Sequence, residues 1–180
     1  MLFKKFIIFL CCLLAFATLS AVYVEAAEKP TVAVIPFSNQ SARKGNPSIE
    51  SAIKETYYDV ATYIDQTGRF KTLTRDLDEM EKMLTNMGWE HDSGLFDSST
   101  IAQYGKMLGA RYLVLGTLTG VGKRGNEFFA NLSLRMINVE TAEIYLSGRG
   151  KGKSRSDEID ALEKATKDAL KGEMGMFKGK

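Results

Sequence analysis

The chain has 180 residues, 44% of them hydrophobic and 26% charged, with a formal net charge of +2. That length and balance fit one domain with a genuine core and exclude a disordered chain. The near-neutral charge gives no argument for nucleic acid or an anionic surface as principal partner.

At the N-terminus, Lys4 and Lys5 precede a continuous apolar run, Phe6 to Leu14, and small residues follow, with Val24 and Ala26 best placed for cleavage. Residues 1–26 therefore read as a secretory signal peptide, which leaves 27–180 as a single domain destined for the periplasm. The rival is an uncleaved anchor, because Phe6 to Val24 is an apolar run just long enough to span a bilayer. The only cysteines, Cys11 and Cys12, lie inside this run, so its removal leaves neither disulfide nor thiol chemistry.

Thr31 to Phe37 is apolar and β-branched and predicts a buried strand, followed by a polar loop, SNQSARKGNPS. A helix is expected from near Ser48, with Ile49, Ile53, Val60 and Ile64 on one face and Gly68 as its stop. Phe70 to Thr74 predicts a second strand. Asp76 with Glu79 forms a capping pair ahead of the stripe Leu77, Met80, Leu84 and Met87. A third helix starts near Ser98 or Ser99 and ends at Gly109. Strands follow at 111–119, 128–139 and 143–149, with turns between them. The last helix is expected from Asp157 to about Met174, with Ile159, Leu162, Ala165, Ala169 and Leu170 inward. The order β-α-β-α-α-β-β-β-α is that of an α/β fold, a mixed sheet with an antiparallel C-terminal meander and helices packed on it.

TGVGKRGNE at 119–127 is glycine-rich and basic, as phosphate loops are, but its spacing is wrong. A Walker loop needs glycine five residues before its Gly-Lys pair and a hydroxyl residue after the lysine; here those places hold Thr117 and Arg124. A dinucleotide fingerprint needs a helix next, and a strand follows instead. The segment is expected to be a turn whose glycines supply positive φ.

His91 is the only histidine and sits in a polar loop, with Glu90, Asp92 and Asp97 nearby but without metal-ligand spacing. No nucleophile elbow and no carboxylate in an apolar setting appear, so the chain is expected to be non-enzymatic, with no catalytic, cofactor or metal residues. Arg149, Lys151, Lys153 and Arg155 alternate with small residues and share one face if the strand runs that far. They form either a basic partner-binding face or a charge-protected edge strand. Asn39 and Asn131 fall in glycosylation-type triplets, which a bacterial-looking export signal makes coincidental.

TVAVIPFSN, TIAQYGKMLGARYLVLGTLTG and NLSLRMINVETAEI together resemble the CsgG-type domain. It is shared by the curli secretion channel subunit and, more distantly, by lipoprotein activators of penicillin-binding proteins and the TolB N-terminal domain. The family usually has aspartate where Arg111 stands and glycine where Ala142 stands, and the second departure implies a different turn geometry. The resemblance implies an α/β sandwich acting by protein–protein contact at the cell envelope, in secretion or cell-wall machinery. Pore-forming members carry long hairpins after the strands matching 111–119 and 143–149; both places are short and polar here, so no stable membrane insertion is expected. The partner is then an envelope protein or a second copy of the chain. The alternative is a signal-anchored envelope protein that senses a small ligand or glycan.

Overall fold

The computed structural model describes residues 28–73, 76–86 and 98–171. The segment read as a signal peptide, Met87, His91 with its neighbouring acids, and the end of the last predicted helix lie outside them. Ten elements follow in order: β1 (Thr31–Val34), β2 (Ser38–Asn39), α1 (Pro47–Gln66), β3 (Lys71–Thr72), α2 (Leu77–Asn86), α3 (Ser98–Leu108), β4 (Tyr112–Arg124), β5 (Glu127–Asn138), β6 (Ile144–Ser154) and α4 (Glu158–Lys171). They form a mixed sheet in the order β3-β1-β4-β5-β6, with β2 also beside β4. β1 is parallel to β3 and β4, whereas β4, β5 and β6 are antiparallel.

The helix boundaries follow their caps. The Asn46 side chain accepts from the Ser48 and Ile49 amides to start α1, and Gly68 at φ 66° follows its end. Asp76 does the same for α2 through the amides of Asp78 and Glu79. Gly109 at φ 67° closes α3.

Alternation along the strands makes two cores. On one face, Val32, Val34, Leu118, Leu134 and Met136 pack against α1 and α4. On the other, Ala33, Ile35, Leu113 and Ile137 pack against Met80 and Leu84 of α2 and Ile101, Tyr104 and Leu108 of α3. α3 approaches closely because Gly105 has no Cβ; one there would lie 2.2 Å from the Val139 side chain. Ile159, expected inward, is instead 44% exposed at the first turn of α4.

Three loops differ from expectation. The polar segment after Phe37 is not all loop, since Ser38 and Asn39 pair with Thr117 and Leu118 as β2. Its polarity is consumed internally: the buried Asn39 donates to Glu50 and accepts from the Ser41 amide and hydroxyl. The 119–127 segment is mostly strand, because pairing continues to Arg124 opposite Glu127 and the turn is only Gly125-Asn126. Only Gly125 has positive φ there; Gly120 and Gly122 are ladder positions whose missing side chains leave room for Phe129 and Asn131. Ala142 has φ 56°, the left-handed backbone that suits glycine, so this turn keeps a glycine-type geometry with alanine in it.

Candidate functional site

α2 and α3 cover only one end of their face of the sheet. Towards the β4–β5 turn, no helix among the described residues covers the same face of β4, β5 and β6, and a trough of about 670 Å³ lies across it. Successive cross-strand rows build its floor: Leu115–Arg135–Ser147, Thr117–Ser133–Arg149, Gly120–Asn131–Lys151 and Gly122–Phe129–Lys153. Gln40, next to β2, and Arg124, near the hairpin tip, complete the lining. The register slips between Leu118 and Gly120, and the Thr119 hydroxyl at that irregularity donates to the Asn131 carbonyl.

β6 runs to Ser154, five residues beyond its expected end, and this brings Arg149, Lys151 and Lys153 into the trough on alternate positions. Arg155 does not join them; it follows the last strand residue and is not among the lining residues. The intervening Gly148, Gly150 and Gly152 face α4, each against the carbonyl of Ala169, Ala165 or Ala161. A Cβ at Gly150 would lie 1.7 Å from the Ala165 oxygen, so the glycine stripe seats α4 directly on the strand. That contact fixes which face the cations take. Asp168 of α4 also accepts from the Lys151 amide, occupying one outward backbone donor of this edge strand.

The trough is cationic. Arg124, Arg135, Arg149, Lys151 and Lys153 line it, and none of the described lining residues is a carboxylate. Glu127, at the start of β5, reaches Lys153 at 3.6 Å. Phe129 is the sole lining aromatic; one side of its ring lies over Gly120 and Gly122, and Arg124 stacks near it at 5.4 Å from the centroid. The basic side chains of β6 were readable from alternation. Arg124, Arg135, Phe129 and Gln40 were not, because they come from three other segments. The sequence signal that identifies their face is the polar set Asn131, Ser133 and Arg135 on β5, opposite an apolar set that packs on α1 and α4.

The titrating groups with perturbed pKa lie elsewhere. Burial pushes the Tyr57 phenol up to about 12, with Tyr58 and Asp76 adding to the shift. The Asp160 carboxyl is held below its ordinary value by hydrogen bonds from Lys164 and Ser154. Among the described residues no cluster of three or more metal-ligating side chains occurs. No helix among them is long and apolar enough to cross a membrane.

The family model for the peptidoglycan-synthase activator LpoB matches residues 13–151. That is the group placed by resemblance as a more distant relative of the CsgG-type domain, and the match does not extend to secretion. No curated protein matches the chain. Among solved structures, lipoprotein GNA1162 from Neisseria meningitidis is similar at 12% identity and a TM-score of 0.53, over 71% of this chain and 84% of that one. The hypothetical protein CT253 from Chlamydia trachomatis is similar at 8% identity and a TM-score of 0.54, over 83% and 98%. The LpoB C-terminal domain from Salmonella enterica matches at 18% identity and a TM-score of 0.47, over 75% and 89%. At these identities the first two likenesses speak for the fold alone.

Proposed function

The chain belongs to the peptidoglycan-synthase activator LpoB family, and on that premise we propose that it is a non-catalytic periplasmic protein that stimulates a peptidoglycan synthase by direct contact. The observation that carries this reading is the bare face of β4, β5 and β6. A sheet covered by helices at one end and left polar and open at the other offers a preformed, rigid docking surface. Export by the 1–26 segment supplies the compartment in which such a synthase works.

The closer resemblance read from the sequence, to the CsgG-type domain of the curli secretion subunit, is not supported: the family match is to the synthase activator. The β4–β5 connection is the two-residue turn Gly125-Asn126, and the β5–β6 connection spans only 139–143. Self-association through the β6 edge is disfavoured by charge. Antiparallel pairing of two copies about Gly150 would set Arg149 of each opposite Lys151 of the other. The sensor reading draws support from the trough's volume, which falls within the range of ligand sites. Its open, charged lining favours a macromolecular partner.

The test is the rate of glycan polymerisation by a purified peptidoglycan synthase from the same cell. Adding residues 27–180 raises the rate several-fold in a saturable way. An unchanged rate at saturating concentration, with no complex by light scattering, refutes the reading.

A further inference from the structure

We propose that the trough holds an extended acidic segment of the partner protein, laid along β6, with carboxylates at alternate residues meeting Arg149, Lys151 and Lys153. The inference rests on the reading above and deepens it by naming the chemistry of what docks.

Three observations carry it. First, the charges are one-sided: five cations line the trough and none of the described lining residues is acidic, although the chain as a whole is nearly neutral at +2. Such a concentration of one sign focuses attraction on an anionic partner and sets its register.

Second, the spacing is that of an extended chain. Arg149, Lys151 and Lys153 stand two strand residues apart, about 7 Å at a rise of about 3.3 Å per residue. Alternate side chains of a second extended segment repeat at the same interval. The glycine stripe against α4 holds all three on the open side, so they are presented together. Asp168, by occupying the Lys151 amide, leaves side-chain pairing on the face as the main mode of capture rather than strand addition at the edge.

Third, the floor selects against other occupants. Thr117, Ser133 and Asn131 are small and polar, which suits hydrogen bonding to a peptide and not the apolar face of a helix. A sugar ring would stack on an aromatic face, and at Phe129, the lining aromatic, it would compete with the Arg124 guanidinium. Gly120 and Gly122 lie beneath one side of the ring, and the Arg124 guanidinium is stacked near it.

Fluorescence anisotropy tests this with a labelled peptide of alternating glutamate and threonine against residues 27–180. The same peptide with glutamine for glutamate, and an oligogalacturonate, serve as probes of charge and of glycan chemistry. The glutamate peptide binds at low salt and is released at high salt, and the glutamine peptide does not bind. R149Q/K151Q/K153Q weakens binding about tenfold. The charge-matched control K54Q/K71Q/K167Q, whose lysines lie on α1, β3 and α4, leaves it within about twofold. Far-ultraviolet circular dichroism shows that both variants are folded.

Tighter binding of the oligogalacturonate than of the peptide overturns the proposal in favour of a glycan site. Equal loss in the two variants also overturns it, because the attraction is then general. The synthase assay separates the two readings. If the wild-type chain stimulates the synthase and R149Q/K151Q/K153Q does so equally, this site is wrong and the function stands. If the wild-type chain does not stimulate, the function falls whatever the peptide does.

Discussion

Replacing Gly150 with alanine would place a Cβ 1.7 Å from the Ala165 carbonyl oxygen and 2.6 Å from the Ala169 amide nitrogen. Both atoms are helix backbone and cannot swing aside as a side-chain tip would. Ordinary contact begins near 3.4 Å, so α4 and β6 must part by roughly 1.5 Å. Overpacking of this kind costs about 1–3 kcal/mol. The upper end applies here, because the separation also loosens Ala161, Ala165 and Ala169, all fully buried on this strand. Alanine recovers about 0.5–1 kcal/mol of the conformational freedom that glycine loses on folding. The net loss is about 2 kcal/mol. Urea denaturation followed by circular dichroism reads it as a midpoint about 1 M lower, for a slope of about 1–3 kcal/mol per molar. Gly122→Ala is the matched control in the same sheet: its Cβ meets the Phe129 ring at 3.5 Å, an ordinary contact, and its midpoint stays near wild type. Equal midpoints for the two variants would refute the claim that the glycine stripe sets the helix–strand distance.

Ala142→Gly removes the left-handed strain at φ 56° and raises stability by about 0.5–1 kcal/mol in the same urea assay. Asn39→Ala leaves the Ser41 amide and hydroxyl without their buried acceptor, which costs about 1–3 kcal/mol and makes the 40–46 loop a site of early proteolysis. Tyr57 has a folded-state pKa near 12 against an ordinary 10.0. Its contribution is therefore fully present below pH 10 and is lost as pH rises through 12. Burial also raises the Tyr104 phenol, so ultraviolet titration shows late-ionising phenols whose amplitude Tyr57→Phe reduces without removing.

Much of the fold was legible because its signals are local. Asn46 is followed by the Ile49, Ile53, Val60, Ile64 stripe; Asp76 pairs with Glu79; and Gly109 ends α3 where a helix should stop. The alternation Ala130, Leu132, Leu134, Met136 fixed the buried face of β5 and, by elimination, its open face. Other features depend on partners distant in sequence. β2 exists because Thr117 and Leu118 lie beside Ser38 and Asn39, and a polar dipeptide alone carries no strand signal. Gly120 and Gly122 suggested a turn, yet β5 opposite them, with Phe129 over the gap, keeps them in the ladder. Ile159 has the right helical phase for burial, but α4 seats on β6 through Ala161, Ala165 and Ala169, and that leaves Ile159 at the rim. The site was half visible. Arg149, Lys151 and Lys153 announced a face, whereas the trough needs Arg124, Arg135 and Gln40, brought together only by the sheet order.

The central claim is contact between a peptidoglycan synthase and the open face of β4, β5 and β6. Site-specific photocrosslinking in cells tests it most directly, with the reactive group placed at Ser133 on the trough floor or at Glu163 on α4, across the sheet. A covalent adduct with the synthase from Ser133 and none from Glu163 is the result the account predicts. An adduct from Glu163 alone, or from neither position while the chain still stimulates the enzyme, would contradict it.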